Sequence, residues 1–110
     1  MFKNSMRPVH PGEVLREDYL IPLGLSAAVL ARELRVSAQR INDLVRERRG
    51  ITANTAMRLA CYFGGDARSW LNLQTAYDLR VAEIENAKRM GCEVTPAALQ
   101  GSAEIIENVY

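Results

Sequence analysis

In one short run of this 110-residue sequence stand Ala38, Gln39, Arg40, Asn42 and Asp43, and close behind them come Arg46, Arg48, Arg49, Thr52 and Asn54. Amides and a carboxylate can read the donors and acceptors on base-pair edges. Gln and Asn pair with adenine, Asp accepts from the cytosine amino group, and an alanine methyl meets the thymine methyl. Guanidiniums, a hydroxyl and a further amide suit phosphate oxygens instead. Neither set is equipped for covalent chemistry. His10, the single histidine, has no serine, cysteine or carboxylate cluster beside it in a catalytic pattern and is read as part of a turn leading into a helix. With no paired carboxylates, metal-ligand cluster or glycine-rich phosphate loop, the sequence predicts no enzyme, no metal and no cofactor.

Whether such residues reach a duplex depends on the elements that carry them. Ser26 is a good N-cap for a helix whose Leu30, Ala31 and Leu34 share one face. Only Arg35 and Val36 separate Leu34 from Ser37, which caps the next helix with Ile41, Leu44 and Val45 as its inward stripe. Two helices joined so tightly have the layout of a helix-turn-helix, in which the first braces the second and the second enters the major groove by its N-terminal half. Ala38, Gln39, Asn42 and Asp43 fall between the buried positions and point outward as base readers, and Arg40 reaches base or phosphate. After Leu34 the motif favours glycine, because the backbone there tends to be left-handed; Arg35 costs about 1 kcal/mol in that conformation. The basic run from Arg46 to Asn54 leads into a helix start at Thr52 and reads as a clamp on the phosphate backbone. The expected DNA-contacting residues are Ser26, Ser37, Ala38, Gln39, Arg40, Asn42, Asp43, Arg46, Arg48, Arg49, Thr52 and Asn54.

Three more helices complete the expected frame. One starts near Pro11, carries Glu13 in its first turn, turns Val14, Leu15 and Tyr19 inward, and ends at Pro22 and Gly24. Another, capped by Thr52, presents Ala56, Leu59, Ala60 and Phe63 to the core and stops at Gly64-Gly65, with Cys61 packed beside that stripe. Asp66 opens the fifth and longest, which runs through Trp70, Leu73, Tyr77, Val81 and Ile84 to Lys88 and Arg89 and stops at Gly91. Those five apolar residues form a stripe longer than one small domain covers and are assigned to pairing with a second copy, with Trp70, Leu73 and Tyr77, at i, i+3 and i+7, fitting a core stripe as well as a dimer stripe. Gln74 and Asp78 are expected to cap or bridge buried groups. No stretch alternates as a strand does. The expected fold is all-α: five helices over residues 1–90, then a tail over 91–110 in which Thr95-Pro96 starts a short helix or the chain is only partly ordered.

Composition agrees with one ordinary globular domain, at 48% hydrophobic and 25% charged residues. A net charge of +1 conceals an asymmetry: residues 1–68 carry 11 Lys and Arg against 7 Asp and Glu, residues 69–110 carry 3 against 6. Seven arginines from Arg32 to Arg58 face only Glu33, Asp43 and Glu47, a plausible phosphate footprint. The absence of an apolar leader in Met1 to His10 and of a membrane-length apolar run predicts a cytoplasmic protein. Cys61 and Cys92 lack metal or disulfide spacing and are read as reduced and non-catalytic.

Five blocks in order add a resemblance. His10-Pro11-Gly12-Glu13-Val14-Leu15, Pro22-Leu23-Gly24-Leu25-Ser26, Arg49-Gly50-Ile51-Thr52, Ala56-Met57-Arg58-Leu59-Ala60, and Trp70-Leu71-Asn72-Leu73-Gln74 with Tyr77-Asp78-Leu79 make the chain similar to the HigA family of antitoxins over about residues 7–82. The resemblance implies a lambda-repressor-like domain of the XRE type, a homodimer, repression of its own operon, and binding to a HigB-type toxin that cleaves messenger RNA. The competing expectation is a stand-alone repressor of the same fold with no toxin, to be separated by the adjacent reading frames. An enzyme acting on nucleic acid would show hydrolysis dependent on His10. A pure protein-interaction module would fail to retain specific DNA in a salt titration.

Overall fold

The computed structural model describes residues 7–98, and every regular element among them is helical. Helix α1 is continuous but uneven: an α-turn over Pro11–Val14, a wider π-helical stretch over Leu15–Leu20 and a last α-turn over Ile21–Leu23. It is followed by α2 (Ala27–Leu34), α3 (Ala38–Val45), α4 (Ala53–Phe63) and α5 (Ala67–Glu93).

Each start is fixed by a side chain that accepts one of the amides a helix leaves unpaired. Ser26 Oγ accepts from Val29 and Ser37 Oγ from Arg40, both at 3.1 Å, and Thr52 Oγ1 accepts from Thr55 at 3.3 Å. Asp66 Oδ1 takes the Ser69 amide at 2.8 Å, and that bond holds its carboxyl below the ordinary range. Such caps contribute about 1 kcal/mol each. At α1 the cap is His10, whose Nδ1 accepts from Gly12 N–H at 2.8 Å while Pro11 occupies the first turn.

Three helix ends share one device. Gly24, Arg35 and Glu47 are left-handed, at φ 66°, 61° and 64°, and each is closed by two backbone bonds that reach back over the last turn. They run from Gly24 to Ile21 and Leu25 to Leu20, from Arg35 to Arg32 and Val36 to Ala31, and from Glu47 to Leu44 and Arg48 to Asp43. These are Schellman endings. The turn therefore does not readjust around Arg35, which takes the left-handed conformation itself. Pro22 lies inside the last turn of α1. A proline there has no amide to donate and crowds the carbonyl four residues back; the wide turn that precedes it opens the register and relieves that crowding.

The core is Leu15, Leu20, Leu30, Ala31, Leu34, Ile41, Leu44, Ile51, Ala56, Leu59 and Trp70, each larger side chain contributing roughly 1.5–3 kcal/mol by leaving water. Around Trp70 an aromatic group forms: Tyr19 lies 5.4 Å from it and 4.7 Å from Phe63 between ring centres. α1 meets α3 at Gly12, where a Cβ would stand 1.8 Å from the Leu44 carbonyl oxygen. Only a glycine lets the two backbones approach so closely.

Several expectations are corrected. Trp70 is 5% exposed and belongs to the core of its own chain, Leu73 packs against that core, and Tyr77 stands edge-on to His10 at 4.7 Å. The long stripe thus divides, its first half already covered within the chain. Cys61 is exposed rather than packed. α5 continues through Gly91 to Glu93, since one glycine costs only about 1 kcal/mol in so long a helix. Thr95 and Pro96 lie in residues 94–98, which have no regular structure; the rest of the expected tail helix lies outside the described residues.

Candidate nucleic-acid interface

Ser37, Ala38 and Gln39 are exposed at the start of α3, while Ile41 and Leu44 on its other side are 0% and 1% exposed. The helix is thus anchored by its apolar face, with its first turn presented to solvent. Ser26 and Ser37 use their hydroxyl oxygens as caps and remain exposed at their helix starts.

Beyond this turn the structure gathers residues that are distant in sequence. Arg40 Nη1 donates to Asn54 Oδ1 at 3.1 Å and to Thr55 Oγ1 at 3.4 Å. Arg58 Nε donates to the same Asn54 oxygen at 2.9 Å, and its Nη1 to the Leu34 carbonyl at 2.8 Å. One amide oxygen therefore lies between two guanidiniums, fixing both, and the Asn54 amino group is left to donate outward. Arg40, Arg49, Gly50, Thr52, Asn54 and Thr55 line most of a cleft of about 110 Å³ at the start of α4. Positive side chains, a hydroxyl and a helix N-terminus converge on it, an arrangement suited to an anionic oxygen. Arg46 and Arg48 are exposed in the preceding loop.

Asn42 and Asp43 are less free than the sequence reading has them. Both are half-buried, and the Asp43 carboxylate lies 4.0 Å from Arg49. An acid so placed aims a guanidinium as readily as it accepts from a base. Arg58 was missed by sequence reasoning; its signal was the i, i+4 spacing from Asn54 on one helix. The far side of the loop is held by α5. Gln74 Oε1 accepts the Ile51 amide at 2.6 Å while its Nε2 donates to Asp78 at 2.9 Å, the bridging role expected of that pair. Among the described residues no group of three His, Cys, Asp or Glu could hold a metal, and no helix is long and apolar enough to cross a membrane.

A helix start that offers amides outward, braced by a second helix and followed by guanidiniums around a helix N-terminus, defines a DNA-binding protein of the helix-turn-helix class. The helix-turn-helix family profile matches residues 15–70. Virulence-associated protein I of Dichelobacter nodosus is 68% identical over 81 residues, covering 74% of this chain and 75% of that protein. Antitoxin HigA-1 of Vibrio cholerae is 36% identical over 80 residues, covering 72% and 74%. Among solved structures, the Pseudomonas aeruginosa antitoxin HigA with the higBA promoter superposes with a TM-score of 0.79 at 49% identity, over 82% of this chain and 98% of that one. The chain belongs to the HigA family of helix-turn-helix antitoxins.

Proposed function

We propose that this protein is a sequence-specific repressor that binds operator DNA as a homodimer and is the antitoxin of a HigB-type toxin. One observation carries the reading: the exposed start of α3, with Ala38 and Gln39 outward, lies beside the cleft made by Arg40, Arg49, Thr52 and Asn54. In a major groove the first meets base edges while the second straddles a phosphate. Residues 1–90 form the binding and pairing unit, and it acts in the cytoplasm without catalysing a reaction. Pairing falls to the outer half of α5, where Leu79 and Ile84 are 59% and 58% exposed, beside half-buried Val81. Two copies so joined set their α3 helices about 34–36 Å apart, one turn of the duplex.

Footprinting and gel-shift on the promoter of its own operon test the DNA arm: a near-palindromic protected site is expected, and binding no tighter than to random DNA overturns it. Co-purification with the product of the adjacent reading frame tests the toxin arm. A neighbouring frame whose product neither binds this chain nor is toxic without it leaves a stand-alone repressor.

A further inference from the structure

The ending of α3 lacks what secures the other two. After the left-handed Gly24 and Arg35 come Leu25 and Val36, both packed against the core, and an apolar residue there commonly anchors a Schellman ending. After the left-handed Glu47 comes Arg48, which is exposed. The support comes from another helix. Arg16, in the wide turn of α1, donates from Nη1 to the Val45 carbonyl at the last residue of α3 and from Nη2 to the Glu47 carboxylate at 3.5 Å, while its Nε meets Glu17 at 3.1 Å. A guanidinium at this end also opposes the negative pole of the α3 dipole, and its planar fork can serve a carbonyl and a carboxylate together.

We propose that Arg16 is a positioning residue for DNA binding: it tethers the exit of the recognition helix from outside, so that residues 46, 48 and 49 can all turn guanidiniums toward phosphate instead of one turning an apolar side chain to the core. The proposal rests on the DNA-binding reading above. Arg16 itself makes no contact with the duplex.

Operator binding as a function of salt, with circular dichroism for the fold, tests it on four variants. Arg16→Ala remains helical, binds the operator about tenfold more weakly, and loses roughly one to two counterions from its salt slope, because the loop no longer holds its arginines in place. Arg16→Lys falls between Arg16→Ala and the parent, since one ammonium cannot serve both acceptors in a plane. Arg16→Ala with Glu47→Gly regains most of the loss, because glycine adopts the left-handed turn without steric strain. Arg48→Ala reports on the underlying reading. If it lowers the slope while Arg16→Ala does not, or if Glu47→Gly fails to relieve Arg16→Ala, the tether is refuted and DNA binding stands; if neither variant moves the slope, the phosphate-clamp reading fails as well.

Discussion

At the scale of single residues, the proposed interface separates specificity from grip. Gln39 stands on the exposed first turn of α3, within reach of base edges once that turn enters a groove. Its replacement by alanine is expected to cost about 1–3 kcal/mol on the operator and little on random DNA. Arg48 is exposed in the loop beyond and, on the proposed reading, meets only the backbone. Arg48→Ala should weaken both DNAs alike and lower the salt slope by about one. Equal losses on both DNAs for Gln39→Ala would remove this helix from the groove. His10 makes a different prediction. Burial pushes its imidazole below the ordinary 6.5, and its Nδ1 must stay unprotonated to accept the Gly12 amide. The unfolded chain therefore takes up the proton first: the stability this ring contributes is complete above about pH 6.5 and is lost as pH falls below that value. Thermal unfolding should come earlier at pH 5.5 than at 7.5, and His10→Asn, which keeps a capping oxygen but does not titrate, should flatten that difference. An unchanged difference in the variant would show that the effect does not come from His10; Glu13, held low by its bond to Arg7, loses its contribution only as pH falls below about 4.5.

At the scale of elements, the contact of α1 with α3 is the sharpest test of the frame. Gly12→Ala drives a methyl into the Leu44 carbonyl, a backbone atom that cannot swing aside. We expect a loss of about 2–3 kcal/mol, within the overpacking range, together with weakened operator binding as α3 is pushed out; calorimetry showing an unaltered Tm would refute the contact. Gly50→Ala meets only the Gln74 side chain, which can move, so its cost should be smaller. These elements were legible in the sequence to the extent that their chemistry is local. Ser26, Ser37 and Thr52 act on amides three residues away, so their caps could be read directly, and the apolar spacing of Leu30, Leu34, Ile41 and Leu44 named the core. The left-handed Glu47 and the role of Arg16 depend on partners 29 to 31 residues distant, and Arg58 reaches back 24 residues to the Leu34 carbonyl, contacts that no local pattern reveals. Trp70 was misassigned for a related reason: periodicity marks an apolar face without saying which chain covers it.

At the scale of the whole molecule, α5 is about 40 Å long at 1.5 Å per residue, in a molecule of 56 × 29 × 22 Å. Its first half packs on α1 and α4, and its outer half carries exposed Leu79 and Ile84. Ile84→Glu and Leu79→Glu are expected to leave the helical fold intact, shift sedimentation at micromolar concentration toward a single chain, and weaken operator binding at least about tenfold, since one chain then holds one half-site alone. A monomeric variant with parental affinity would show that pairing and binding are independent. The wide turn in α1 carries a consequence for how such chains vary. A π-turn is an α-helix with one residue too many. The wide turn already absorbs that residue, so deleting exposed Glu17 or Asp18 would restore a regular helix and leave the residues on either side facing much as they do now. Losing a second residue, with no wide turn left to absorb it, would rotate everything ahead by about 100° around the axis: His10 would leave Tyr77 and Gly12 would leave Leu44, although every side chain of the recognition helix would be untouched. A reading frame that loses three bases here should therefore still encode a braced reading head, whereas one that loses six should not, so the wide turn holds one residue in reserve.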